Sequence, residues 1–183
     1  MAPITVLVVG GGGREHALCI GLANSPSVIA VHCSPGNAGT SMIATNHNIL
    51  TSDIQGLVSL ALDLDADLVV VGPEAPLVDG LADSLREAGV ACFGPHSEGA
   101  RLEASKLHAK EVMRSLGVPT GGHIVVDDES VISDALDKFE APWVIKRDVL
   151  AARKGVTVTS DRAAAEQALL ERIELDAFVL LEE

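Results

Sequence analysis

The run Val6-Leu7-Val8-Val9 is apolar at every position, as are Val28–Val31 and Leu68–Val71. A strand with one wet face alternates polar and apolar residues; a strand that does not alternate is buried on both faces. That is the habit of parallel strands lying between layers of helix. The strands expected are Ile4–Val9, Val28–Cys33, Leu68–Val71 and Val90–Phe93, with a short one near His47–Leu50. Helical patterns lie between them at Glu15–Ala23, from Asp53 to about Leu62, and at Leu77–Ala88. This alternation predicts an α/β fold, a doubly wound parallel sheet, over residues 1–100. Ligands on such sheets sit beyond the carboxyl ends of the strands. Three Gly/Pro-rich loops fall there: Gly10–Arg14, Ser34–Thr40 and Gly72–Pro76.

The first loop carries four consecutive glycines and then opens a helix. Without a Cβ, the backbone amides of such a turn approach a ligand closely. The helix start adds unpaired N–H groups at the positive end of its dipole, which suits a phosphate. Charge sharpens this expectation. The chain carries a net charge of −13, which argues against nucleic acid and anionic membrane as partners. Residues 1–100 hold only two basic side chains, Arg14 and Arg86. Arg14 stands directly behind the glycines, where its planar fork suits a phosphate; the alternative is an arginine that points into solvent. Spacing excludes a dinucleotide. The G-x-G-x-x-G frame would need glycine at Glu15 or His16, and the acid expected ~20 residues on is absent from His32-Cys33-Ser34.

No apolar run approaches the ~18 residues of a membrane span, and Met1-Ala2-Pro3 leads into a strand pattern without the basic start of a signal peptide. Cys19, Cys33 and Cys92 fit no metal-ligand spacing and read as buried free thiols in a reducing compartment, so a cytoplasmic location is expected.

Around Gly94–Ala104 the character of the chain changes. Residues 101–183 carry eleven basic and sixteen acidic side chains, against two and ten before them. A helix is expected at Glu103–Leu116, ended by Gly117 and Pro119. Strands follow near His123–Val126, Trp143–Arg147, Val156–Thr159 and Phe178–Leu181, with helices near Ser130–Phe139 and Ala163–Arg172. A domain boundary is therefore placed near residue 100.

The segments Gly10–Leu18 (GGGGREHAL), Pro35–Thr40 (PGNAGT), Gly72–Leu81 (GPEAPLVDGL) and Phe93-Gly94-Pro95 together resemble the N-terminal domain of the glycinamide ribonucleotide synthetase (phosphoribosylamine–glycine ligase) family. Leu102-Glu103-Ala104-Ser105-Lys106, Gly117-Val118-Pro119-Thr120 and Val144-Ile145-Lys146 extend the likeness over essentially the whole chain. The resemblance implies an ATP-grasp ligase of purine biosynthesis. In that reaction ATP, with Mg2+, activates the carboxylate of glycine as an acyl phosphate, and the amine of phosphoribosylamine then attacks it. On this reading residues 1–100 are an α/β substrate-binding domain, and residues 101–183 are the first, α+β part of an ATP-grasp domain. The resemblance implies that Gly12, Gly13 and Arg14 face the phosphate of phosphoribosylamine. Asn37, Gly39 and Thr40 would lie nearby, and Glu74 would meet the ribose hydroxyls. ATP would be held by Lys106, Lys146, Lys154, Gly155, Glu182 and Glu183. Without the resemblance, Pro35–Thr40 reads as an ordinary turn and Glu74 as a solvated acid.

The chain departs from the family at one loop. The family pattern there resembles Lys-Ala-Asp-Gly-Leu-Ala-Ala-Gly-Lys-Gly, whereas this chain reads Lys146-Arg147-Asp148-Val149-Leu150-Ala151-Ala152-Arg153-Lys154-Gly155. If the two lost glycines need positive φ, a β-branched valine at position 149 is the costliest replacement. The sequence also stops at Glu183, before the segment that supplies the family's metal-binding acid and asparagine, and no earlier metal cluster replaces it. An N-terminal portion of the ligase, inactive alone, is expected. The alternative is a non-catalytic phosphosugar- or nucleotide-binding protein derived from the ligase.

Overall fold

The computed structural model describes residues 3–150 and 155–183, which divide into two compact units, Met1–Arg101 and Leu102–Glu183. In the first unit β1 (Ile4–Gly10), β2 (Val28–Pro35), β3 (Thr45–Asn46), β4 (Leu68–Val71) and β5 (Ala91–Phe93) form one sheet, ordered β3-β2-β1-β4-β5. Every pairing in it is parallel. The chain builds outward from β1 to β3 and then returns to the other side of β1 for β4 and β5. The order thus reverses between β1 and β4, and such a reversal leaves a crevice at the carboxyl ends of the two strands.

The helices of this unit are α1 (Gly13–Ala23), α2 (Ile54–Asp63), α3 (Ala75–Val78) and α4 (Leu81–Glu87). Val6, Leu7, Val8 and Val9 are fully buried, and the pleat of the strand sends them alternately to two cores. Val6 and Val8 pack with Cys19 of α1 and with Val31, Cys33 and Val70. Leu7 and Val9 pack with Leu57 and Ala61 of α2 and with Leu81 and Leu85 of α4. Each such side chain contributes ~1.5–3 kcal/mol on burial, so β1 is the element on which both layers close. The fold is the expected doubly wound α/β sheet.

Two local expectations fail for identifiable reasons. His47–Leu50 is not a strand; β3 is Thr45–Asn46. The Ser34 hydroxyl lies 3.0 Å from the His47 carbonyl oxygen and 2.9 Å from that of Ile49, which takes this segment out of the ladder. The helix expected over Leu77–Ala88 is split into α3 and α4, because Gly80 adopts φ +87° between them. The thiols also differ from one another. Cys19 and Cys33 are buried and Cys92 only partly so, and burial pushes the Cys19 thiol up to about 12.

Helix α5 (Ser97–Ala104) runs through the division of the chain, and α6 (Lys106–Ser115) follows it. The single helix expected at Glu103–Leu116 is interrupted at Ser105, which is extended (φ −120°, ψ 114°) and accepts the His108 N–H at 3.0 Å as the cap of α6. The second unit then adds β6 (His123–Val126), α7 (Ile132–Leu136), β7 (Trp143–Arg147), β8 (Val156–Thr159), α8 (Arg162–Ile173) and β9 (Val179–Glu182). Its sheet is antiparallel, ordered β6-β9-β7-β8. Helix α7 is shorter than the Ser130–Phe139 expected, since the indole N–H of Trp143 lies 3.1 Å from both the Leu136 and Phe139 carbonyl oxygens and ends the helix there.

Trp143 and Ile145 of β7 and Val179 and Leu181 of β9 pack against Ala135, Leu136, Ala165 and Leu169 of α7 and α8. Side chains alternate along a strand, so Lys146 and Glu182 fall on the opposite face. Lys146 pairs with Leu180 and Val144 with Glu182, which makes Lys146 and Glu182 diagonal neighbours two residues apart in register. Among the described residues, no helix is long and apolar enough to cross a membrane.

Candidate functional site

The glycine turn is built around a buried acid. Glu15, 5% exposed, folds back under the turn and accepts the Gly12 N–H at 2.6 Å. A Cβ at Gly10 would stand 2.5 Å from Glu15 Cγ, and one at Gly72 would stand 2.0 Å from Glu15 Oε1. Gly10 at the end of β1 and Gly72 just after β4 therefore make room for a carboxylate of the chain itself. The Gly12 amide is spent on Glu15, while the first-turn amides of α1 at Gly13 and Arg14 lack intrahelical partners, as all first-turn amides do. Among the described residues, nothing lies within 4 Å of where a Cβ at Gly13 would stand.

Arg14 reaches across the β1/β4 reversal. Its Nη1 donates to the Gly72 carbonyl oxygen, and both Nη atoms lie 3.4 Å from Glu74 Oε1. The two side chains expected to meet opposite ends of a phosphosugar are thus held together. The pair is open to solvent, with Arg14 60% and Glu74 37% exposed, so it adds little stability. Guanidinium carries five N–H donors. Part of that capacity remains for an anion while Glu74 stays bound.

Asn37, Gly39 and Thr40 lie beside the glycine turn. The Asn37 amide donates to the Gly11 and Gly12 carbonyl oxygens at 3.0 and 3.2 Å. Its Oδ1 accepts the Gly39 and Thr40 N–H groups at 2.7 and 3.0 Å. Thr40 is fully buried, and its hydroxyl accepts the Asn37 N–H at 2.7 Å. These groups brace the second loop against the first, and their polar atoms are used within the chain. Gly39 gives its missing side chain's space to the ring of His16, whose Cε1 would lie 2.6 Å from a Cβ there.

In the second unit a cleft of about 320 Å³ is lined by Lys106, Lys110, Lys146, Thr120 and Glu182, among others. Lys146 Nζ donates to Glu182 Oε2 at 2.7 Å, and Lys110 Nζ lies 3.6 Å from the same oxygen. Glu182 Oε1 is buried without a hydrogen-bond partner among the described residues. Lys106 Nζ donates to the Arg147 and Val149 carbonyl oxygens at 2.9 and 3.2 Å. Glu183 is exposed and accepts the Gly122 N–H at 2.8 Å. Gly155 extends the β7–β8 pairing, its carbonyl accepting the Arg147 N–H at 3.0 Å. Lys154 lies outside the described residues. Lys110 escaped the sequence reading, although its place four residues after Lys106 on one face of α6 was the available signal.

The altered loop is locally satisfied as far as it is described. Val149 carries no positive-φ strain, for among the described residues Asp65 (φ +47°) is the one non-glycine residue in that region. Arg147 makes a two-point pair with Asp176, Nε to Oδ2 at 2.5 Å and Nη2 to Oδ1 at 2.7 Å. That guanidinium holds the Asp176 carboxyl below its usual range. Asp148 caps α6, accepting the Lys106 and Leu107 N–H groups at 2.5 and 3.1 Å and the Ser105 hydroxyl at 2.7 Å. The start of α6 is therefore closed to an external anion. Among the described residues, no group of three or more His, Cys, Asp or Glu is placed to hold a metal ion.

These two sites stand on segments that match known proteins. Residues 4–103 match the phosphoribosylglycinamide synthetase N domain, and residues 104–179 match the ATP-grasp (A) domain of the same synthetase. Over 160 residues the chain is 54% identical to the phosphoribosylamine–glycine ligase of Streptomyces coelicolor, a match covering 87% of this chain and 38% of that protein. The crystal structure of the Thermotoga maritima phosphoribosylamine–glycine ligase superposes with a TM-score of 0.76 at 31% identity, over 98% of this chain and 44% of that one. An ADP complex of N5-carboxyaminoimidazole ribonucleotide synthetase shares the fold, with a TM-score of 0.76 at 17% identity, over 100% of this chain and 47% of that one. The chain spans about two fifths of the length of the ligases it matches. The chain belongs to the phosphoribosylglycinamide synthetase family.

Proposed function

We propose that this chain is the N-terminal part of a cytoplasmic phosphoribosylamine–glycine ligase of purine biosynthesis. Its first unit takes phosphoribosylamine and its second takes ATP. The observation that carries the reading is the meeting of Arg14 with Gly72 and Glu74 across the β1/β4 reversal. Guanidinium and the open first-turn amides of α1 offer donors to a phosphate. Glu74 offers an acceptor to sugar hydroxyls. One small site then presents both halves of a phosphosugar's chemistry, in a unit that holds only two basic side chains over residues 1–100.

The second cleft fits a nucleotide. Lys106 and Lys146 are flexible point charges suited to phosphates, and the unpartnered Glu182 Oε1 suits an N–H or O–H donor of a nucleoside. ATP would supply the phosphoryl group that turns glycine's carboxylate into an acyl donor; these residues bind and orient it. The described residues do not fit Mg2+, since no three acidic, His or Cys side chains among them converge on one point.

Ribose 5-phosphate tests the first site. The Arg14→Ala variant is expected to bind it about 1.5–3 kcal/mol more weakly by calorimetry, the worth of a hydrogen bond to a charged group. Unchanged affinity would remove Arg14 from the site and the phosphosugar reading with it.

A further inference from the structure

Lys110 is the one buried cation among the described residues, 6% exposed. Its ammonium lies 3.0 Å from the Gly121 carbonyl oxygen, 3.2 Å from Thr120 Oγ1 and 3.6 Å from Glu182 Oε2. The first two are hydrogen bonds and the third is an ion pair, and with its side chain 8% exposed the ammonium is turned into the chain rather than presented to a ligand. Lys146 is the opposite case. It meets the same Glu182 Oε2 at 2.7 Å, and its side chain remains 28% exposed at the cleft. One carboxylate oxygen is thus shared by an ammonium that is fixed and one that is presented.

We propose that Lys110 is a positioning residue of the nucleotide cleft, fixing the Glu182 carboxylate and through it the Lys146 ammonium that meets a nucleotide's phosphate. The backbone carbonyl and hydroxyl that hold Lys110 belong to the short segment between α6 and β6, so its own place is set by the chain. Glu182 stands on β9, and its carboxylate would otherwise be held by Lys146 alone, the residue it has to orient. This role rests on the nucleotide reading of the cleft given above.

The test uses the 183-residue chain, titrated with ADP and separately with adenosine, as parent, Lys110→Met, Lys146→Met and the double variant. Methionine keeps the unbranched stem without the charge, and thermal melts check the fold. Lys110→Met is expected to weaken ADP about tenfold and adenosine less than about twofold, with no further loss in the Lys146→Met background, as for residues that act through one another. Equal losses for ADP and adenosine, or losses that add in full, would reduce Lys110 to a packing residue and overturn the proposal. If Lys110→Met melts below the assay temperature, Lys110→Arg is read instead. Retention of ADP affinity within about threefold supports the role, and an equal tenfold drop for both ligands overturns it. A parent chain that binds neither ligand overturns the nucleotide reading itself. Failure of the Lys110 contrast alone leaves that reading standing.

Discussion

Replacing Gly10 by alanine is expected to destabilise the first unit by about 2–5 kcal/mol, combining a positive-φ penalty of ~1–2 with an overpacking penalty of ~1–3. Gly10 holds φ +131°, which L side chains rarely adopt, and its Cβ would enter 2.5 Å from Glu15 Cγ. Neither side yields easily. Glu15 is buried and bonded to the Gly12 amide, and the Gly10 carbonyl accepts the Gly36 N–H at 3.1 Å. A shift of β1's last residue would therefore drag both loops of the proposed phosphosugar site. Thermal unfolding should fall by roughly 10 °C or more, at ~4–8 °C per kcal/mol for a unit of this size. Adding Glu15→Ala should recover the steric part but not the backbone part. A Gly10→Ala chain that melts like the parent would show that the turn is not packed around Glu15.

Removing the Glu182 carboxylate is the second large effect. Glu182→Ala leaves the ammonium groups of Lys110 and Lys146 beside each other without their shared anion. Side-chain exposures of 8% for Lys110 and 10% for Glu182 leave water little chance to compensate. Breaking a buried ion pair from one side costs about 3–5 kcal/mol, and the partial exposure of Lys146 places this case near the lower end. Urea unfolding should show a loss of about 3 kcal/mol. The Lys110→Met change should be milder, since Glu182 then keeps Lys146 at 2.7 Å. A Glu182→Ala chain as stable as the parent would mean that the two lysines do not depend on that carboxylate.

Much of the first unit was legible because its signals are local. A non-alternating run rich in β-branched residues, such as Val6–Val9, reads as a strand buried on both faces, and a glycine turn leading into a helix marks the strand's carboxyl end. Arg14 stood out because basic residues are so scarce around it. What the sequence hid are contacts made over long separations. Nothing in the local pattern marks Glu15, and only the return of β4 beside β1 shows it filling the space of Gly10 and Gly72. Asn37 and Thr40 read as an ordinary turn without the resemblance, and only the parallel pairing of β1 and β2 shows them bracing the glycine turn. Asp148 caps a helix that begins 42 residues earlier, and Arg147, which stood out as a departure, finds Asp176 29 residues later. Such pairings have no period to read. The helix breaks at Gly80 and Ser105 failed for the converse reason: each local pattern ran on through a residue whose backbone turns aside.

The central claim is that one chain carries two sites, a phosphosugar site on the first unit and a nucleotide site on the second. Amide and lysine NMR shifts of the uniformly labelled chain, followed while ribose 5-phosphate and then ADP are added, test it most directly. Ribose 5-phosphate is expected to move the signals of Gly13, Arg14 and Glu74, and ADP separately those of Lys106, Lys146 and Glu182. Perturbation of one common set of residues by both ligands, or shifts confined to other surfaces, would contradict it.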